Sequence, residues 1–358
     1  TAPDIIAVHN IADNSGAAND GIVGANTTIN ALITALSNYG IDYGFAQINP
    51  VNNADGGPVG SNLRTVLLYR LDRIGFTGTP GGSNISNAVQ NVAGKPNLQF
   101  NPGRIAPTSP TLVGSRKPFA AQFTFKGRNL FVLTNYFDTD LPNETKYGVF
   151  QPARDSIAQR RADHGLIMQN FVQNIFNVFS ASNVIVLSNF NDAPFAQSVT
   201  NAKGTNLFNL TDSLAANNRY TTVRNGNSYA TDQILASANL VSQAYKAIAV
   251  QHFSSEYDLP TSTVNDGIVS RFEMLGTYNI TGTVTYNGNP QAGVKIKLTG
   301  GKIDSVVTGP AGTFAFNNLD AVKSYTLTPT LSGYGYNNAP RVVPSLESNT
   351  VVNFIGTE

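Results

Sequence analysis

The chain has no cysteine in 358 residues, which excludes disulfides, thiolate metal sites and a cysteine nucleophile together. It is also poor in charge: Asp, Glu, Lys and Arg make up 13% of it, about half the usual share. Asn is abundant instead, at about one residue in nine, so the surface is built mainly from amide, hydroxyl and glycine groups. A thiol-free surface of this kind is expected of an exported protein, and an extracellular or cell-surface location follows as the expectation. No run of 18 apolar residues occurs, and Thr1-Ala2-Pro3-Asp4 leads directly into the strand-like IIAV. The chain therefore reads as a processed one, with neither a membrane span nor a retained signal peptide. A basic stripe is missing too. Basic and acidic residues number 23 and 22 overall and balance at 18 each up to position 276. Because neutralised phosphates supply most of a general nucleic-acid binder's affinity, no nucleic-acid partner is expected.

What is present falls into two textures. In the first, short β runs alternate with helical patterns. DIIAV (4–8) and YGFAQI (43–48) flank TTINALITALSNYG, where Ile29, Leu32, Ile33 and Leu36 recur at helical spacing and Gly40 suits a C-terminal stop. TVLLYR (65–70) follows, then a loop rich in Gly, Asn and Pro (77–115), then AAQFTF and NLFVLTNYF joined at Lys126-Gly127-Arg128, which reads as a hairpin. A second helix fits about 154–179, with Ile157, Arg161, His164, Met168, Phe171, Ile175 and Phe179 near one face. It delivers the chain into VIVL at 184–187, and strands are expected at 228–237, 245–253 and 268–274. After Gly276 the pattern becomes short alternating strands with turn signals, including Asn287-Gly288-Asn289-Pro290, and no helix. The expected architecture is an α/β (α+β) four-layer sandwich of two packed mixed sheets flanked by helices over 1–275. A small all-β, immunoglobulin-like sandwich is expected over 276–358.

The ordered series AVHNI, YGFAQI, LRTVLLYR, KPFAAQFTFKGRNLFVLTNYF, ARDSIAQRRADHG, VIVLSNFND, YATDQILAS and VNDGIVSRFEM resembles the endonuclease/exonuclease/phosphatase superfamily with its DNase I-like fold, and most of all its secreted bacterial nucleases. The resemblance spans about residues 3–274. It implies a divalent cation held by carboxylates, a water activated by an Asp-His arrangement, and polar groups that stabilise phosphorane-like charge. The residues at the corresponding positions depart from that set. Gln47 stands where a metal-binding Glu is implied, and a neutral amide weakens a hard-cation site. Asn189 replaces the Asp that orients the water, and its amide cannot serve as a base. Val264 and Asn265 replace a final Asp-His pair, Asp232-Gln233 keeps only the carboxylate of another, and Tyr136 stands where Asn-His-Phe would place His. Asn10, Asn191 and Asp232 survive, with Tyr69 and Arg70 near them in motif terms. The resemblance thus implies a pseudoenzyme with no catalytic residue, no cofactor and no firm divalent-cation binding.

Gly282-Thr283-Val284, Ala292-Gly293-Val294, Gly312-Thr313-Phe314 and Tyr325–Pro329 resemble the prealbumin-like or carboxypeptidase-regulatory-like sandwiches that accompany surface proteins. Such a resemblance implies a spacer, adhesive unit or assembly interface. His9, His164 and His252 are expected to be structural, and Asp138, Asp140 and Glu144 to be solvated loop charges, since their spacing matches no calcium loop. Sequons at Asn26, Asn84, Asn143, Asn209 and Asn279 are candidate glycan sites. The 78–114 loop is a candidate contact surface. The leading functional expectation is a non-catalytic extracellular subunit that self-associates into a filament, sheath or layer. A secreted binding or adhesion module using the vestigial cleft, and an active metal-dependent nuclease or phosphodiesterase, remain the alternatives.

Overall fold

The computed structural model describes residues 2–139, 155–224, 226–256 and 265–357. The chain divides into two compact units, Thr1–Phe125 with Asn129–Glu273, and Lys126–Arg128 with Met274–Glu358.

In the first unit a seven-stranded mixed sheet runs in the order Leu207–Asn209, Asp232–Ser237, Val184–Asn189, Arg128–Tyr136, Phe119–Phe125, Gly75–Phe76, with Gly103–Arg104 also pairing on Phe119–Phe125. Val184–Asn189 and Arg128–Tyr136 pair in parallel. The helix Ala158–Val178 supplies the crossover between those two strands, as a parallel pair requires. The helix buries Met168, Phe171, Val172 and Ile175 against Phe131, Leu133, Val184 and Val186. Residues Gln197–Lys203 form a shorter helix that adds Val199 and Ala202 to the same core. A second, three-stranded antiparallel sheet orders Ile5–Ile11, Arg64–Arg70 and Tyr43–Ala46, and the helix Asn26–Ser37 covers it through Ile29, Leu32 and Leu36, with the preceding Ala25 in the same core. Tyr69 of this sheet packs on Phe76 and Phe123 of the large one, with ring centroids 4.9 and 5.5 Å away. The sandwich of sheets flanked by helices is thus the expected one, the smaller sheet being purely antiparallel.

Several local expectations change. The 77–115 loop carries a hairpin, Val89–Val92 with Lys95–Leu98, turned at Ala93-Gly94, where both residues have positive φ, +50° and +76°. Phe179 is not on the buried face: the helix ends at Val178, Phe179 is extended, and its ring is 49% exposed. The expected strand at 228–237 is two strands, Asn227–Tyr229 and Asp232–Ser237. Thr221 Oγ1 accepts hydrogen bonds from the backbone N–H of both Thr231 and Asp232, at 3.1 and 3.2 Å, and takes these donors out of any continuous ladder.

In the second unit Thr277–Tyr286 pairs with Thr313–Asp320, Asn289–Pro290, Thr350–Val351 and Phe354–Thr357, and Gly335–Asn337 pairs with the last of these. The facing sheet orders Asp304–Val307, Lys295–Gly300, Tyr325–Thr330 and Arg341–Val343. The period-2 pattern sorts its residues: Ile296, Leu298, Tyr325 and Leu327 are buried, while Lys295 and Lys297 are exposed. Asn287 and Gly288 supply the expected hairpin turn at φ +49° and +77°. Among the described residues, no helix is long and apolar enough to cross a membrane.

Met168 is fully buried beneath the large sheet. Replacing it with Ala should cost about 2–5 kcal/mol of stability, read as a fall in the urea midpoint without a change of slope.

Candidate functional site

Three central strands of the large sheet end in register. Asn189 lies opposite Tyr136 on the parallel neighbour and opposite Asp232 on the antiparallel one, so three of the positions expected at the site share one face. Asn265 joins them by donating to Asp232 Oδ2 at 2.8 Å, and Thr231 Oγ1 donates to the same oxygen at 3.2 Å. Burial raises the Asp232 carboxyl above the ordinary carboxylate range, while hydrogen bonds from Thr221, Asn265, Thr231 and Asn189 oppose the rise. All four of these partners are neutral. The tetrad Asn189, Asp232, Asn265 and Thr231 therefore forms a hydrogen-bonded patch with a single carboxylate.

Asn10 and Asn191 have a backbone reason to be Asn. Their φ values are +60° and +48°, a region that Asn enters more readily than other non-glycine residues. Asn10 sits where pairing of Ile5–Ile11 with Arg64–Arg70 slips between Val8 and Ile11. Asn191 donates to Phe137 O at 2.7 Å, and its own N–H is held by Asn189 Oδ1 at 2.8 Å. Asn189 thus closes the strand-end turn through its side-chain oxygen.

Two arginines complete the arrangement. Arg64 Nη1 donates to Gln47 Oε1 at 3.3 Å and to Asn49 Oδ1 at 2.7 Å, and its Nη2 donates to the carbonyls of Val23 and Asn62 at 2.6 and 3.1 Å. Arg116 Nη2 donates to Asn10 Oδ1 at 2.9 Å while its guanidinium lies 5.5 Å from the Tyr136 ring centroid, a cation–π distance. His9 is 5.8 Å from the same ring and shares a hydrogen bond between Nδ1 and Thr65 Oγ1 at 2.9 Å. Burial, reinforced by Arg116, pulls the His9 pKa down to about 4.

These residues do not fit a divalent cation. The amide oxygens of Gln47 and Asn10, both vestigial metal-centre positions by resemblance, each accept a hydrogen bond from a guanidinium. A divalent ion sharing those oxygens would meet a repulsion on the order of several kcal/mol from each arginine. Among the described residues, no three His, Asp or Glu side chains gather where they could hold a metal ion.

Other expected site residues lie elsewhere. The register Ile5↔Tyr69 and Ile11↔Arg64 puts Tyr69 and Arg70 at the end of the small sheet opposite Asn10, and Arg70 pairs with Asp72 at 2.6 Å. Asp138 is not a solvated charge: it pairs with Arg160 at 3.1 Å and accepts from Ser115 Oγ at 2.8 Å. His164 is fully buried with Nε2 on Thr111 O at 3.0 Å, and His252 stacks on Tyr220 at 4.1 Å. Val264, Asp140, Asn143 and Glu144 lie outside the described residues. Of the other sequons, Asn26 and Asn84 are exposed. Asn209 is buried with its amide bonded to Thr211 and Gln233, and Asn279 is half-buried, accepting from Asn318 N–H. Sequence reading missed Arg64 and Arg116. Arg64 opens the strand RTVLLYR at a buried position next to the apolar run Val66–Leu68, and a charge there has to find polar partners.

Residues 279–355 match the family model of the carboxypeptidase regulatory-like domain. A chitinase, ChiA of Flavobacterium johnsoniae, is 30% identical over 93 residues, which are 26% of this chain and 6% of the chitinase. The chain thus spans a small fraction of that relative's length. Similar solved structures include D. rerio TDP2 complexed with a single-strand DNA product, at 15% identity and TM-score 0.45 over 76% of this chain and 86% of that one. The human Nocturnin catalytic domain follows at 15%, 0.45, 76% and 81% on the same four measures. An endonuclease/exonuclease/phosphatase from Bacteroides vulgatus stands at 15% identity and TM-score 0.44, covering 76% and 85% of the two chains.

Two outcomes are expected from this site. In NMR titration His9 should remain neutral down to about pH 5 and charge only near pH 4. Because the unfolded chain binds that proton first, the His9 contribution to stability is present above the ordinary value of 6.5 and is lost as pH falls toward about 4. Asp232 has the opposite sign. The folded state keeps its proton where the unfolded chain has released it, so stability falls as pH rises above the ordinary value of 3.8, and the deficit persists at neutral pH. Asp232→Asn should therefore equal or exceed the parent in thermal midpoint at pH 7; a marked fall would show that the carboxylate is needed in its charged form.

Proposed function

We propose that this protein is a non-catalytic extracellular structural subunit. In this reading a nuclease-like domain with an inactivated centre and a β-sandwich together form the repeating unit of a cell-surface filament, sheath or layer. The observation that carries the non-catalytic part is the pair of guanidinium groups on Gln47 and Asn10. Charge inversion at a cation position removes the means of activating water and of neutralising a phosphoryl group through a metal. The patch around Asp232 adds no base to replace it, since Asn189 and Asn265 cannot accept a proton at neutral pH.

The assembly part draws on the surface. Low charge reduces the electrostatic cost of packing copies together. The four-stranded sheet of the sandwich ends in Asp304–Val307 on one side and Arg341–Val343 on the other. Exposed Ile303, Val307 and Val342 lie in or beside those edges, and such edges are templates for strand addition. The match of residues 279–355 to a family model supports the sandwich as a module in its own right.

Negative-stain electron microscopy of the native or concentrated protein should show regular polymers or sheets. Plasmid DNA incubated with the protein and Mg²⁺, Mn²⁺ or Ca²⁺ should remain intact. Dispersed single particles at every concentration would reject assembly, and metal-dependent cleavage would reject the pseudoenzyme.

A further inference from the structure

The same charge inversion leaves a feature that neither assembly nor loss of catalysis uses. Arg64, Arg104, Arg116, Lys117 and Asp55 line one small cavity of about 10 Å³. Four cations therefore face one carboxylate. Asp55 is 4% exposed and pairs with Arg104 at 2.6 Å, with Lys117 Nζ 4.0 Å away. The nearest other acids are already engaged: Asp13 accepts from Ser15 and Asn62, and Asp138 pairs with Arg160 and accepts from Ser115. Arg64 and Arg116 are left with buried Nε–H groups that have no hydrogen-bond acceptor. Such donors are costly when unmet, and a guanidinium can only donate.

We propose that this cavity is an anion site that takes a single halide-sized ion, chloride in ordinary media. Two features set the class of ligand. A cavity this small holds about one water-sized particle, which favours a monatomic anion over phosphate, sulfate or a nucleotide. A water molecule would accept the free N–H donors but leave the excess positive charge in place, whereas an anion meets both needs. The wall is built for close approach. A Cβ on Gly57 would stand 3.0 and 3.1 Å from the two terminal nitrogens of Arg116, so bare backbone packs on that guanidinium and fixes its plane. Burial lowers Arg64 to about 10 and pulls Arg104, Arg116 and Lys117 down as well, while the carboxylates of Asp13, Asp55 and Asp138 oppose the fall.

The site goes beyond the structural role and stands whether or not copies assemble. Its test uses the whole chain. Bromide-soaked crystals should show one anomalous peak in this cavity, contacted by Arg64 and Arg116. In solution, ³⁵Cl NMR line broadening by the protein should be relieved by bromide and left unchanged by sulfate at equal ionic strength. Arg116→Gln, chosen because this residue is only half-buried, should weaken chloride roughly tenfold to a hundredfold, with an unchanged circular-dichroism spectrum. An empty cavity in the bromide map, or equal broadening by the parent and Arg116→Gln, would overturn the site. Displacement of chloride by sulfate would overturn its halide size. The bromide map on the parent protein decides the matter even if the variant does not fold.

Discussion

Arg64 carries a full positive charge at a position only 4% exposed, and much of the first unit's polar design is the set of oxygens that make this tolerable. A buried guanidinium without partners would cost several kcal/mol, a large share of the net stability of a domain. Here Gln47, Asn49, Val23 and Asn62 supply oxygens to it. Asn62 in turn donates to Asp13 Oδ2 at 2.9 Å and to the Ile22 carbonyl at 2.7 Å, and Asp13 holds the following turn through Ser15. The loops around Asp13, Val23 and Asn62 are in this way tied to one buried cation.

This constraint accounts for the neutral amides that surround Arg64 and Arg116. A carboxylate cluster gathers round a divalent ion because charge must be balanced; around a guanidinium, neutral acceptors with directional lone pairs satisfy the donors. Arg116 repeats the pattern with Asn10 and the Tyr136 face. Asp232, remote from either arginine's hydrogen bonds, is held by neutral groups alone and shifts upward in pKa as burial dictates. The second unit uses simpler physics. Alternation of buried Ile296, Leu298, Tyr325 and Leu327 with exposed lysines and threonines closes a dry core between two sheets, and no buried charge is needed.

Elements with a strong period or a strong turn signal were legible. The helix with Ile29 and Leu32, the strand ending at Asn189 and the Asn287-Gly288 hairpin all form where spacing and composition place them. The collection of Tyr136, Asn189, Asp232 and Asn265 at one sheet end was likewise within reach, because it follows from motif order once the strands are aligned. Tyr69 and Arg70 went astray for a physical reason: they follow one another along a strand whose other end, at Arg64, faces the site, and composition does not reveal which end points where. Phe179 was misplaced because helical periodicity continues one residue beyond the hydrogen bonding that sustains it.

Residue type and period along the chain account for its two textures, for the alternation that builds each core, and for the neutral amides at Gln47, Asn189 and Asn265. These are local matters of residue type and period, and they need no knowledge of distant partners. Which groups those amides meet is settled by tertiary packing. Arg64 is 17 residues from Gln47 and Arg116 is 106 from Asn10, and no pattern along the chain brings them together. Sheet register and loop packing do, because a buried guanidinium draws in whatever oxygen the fold places within reach.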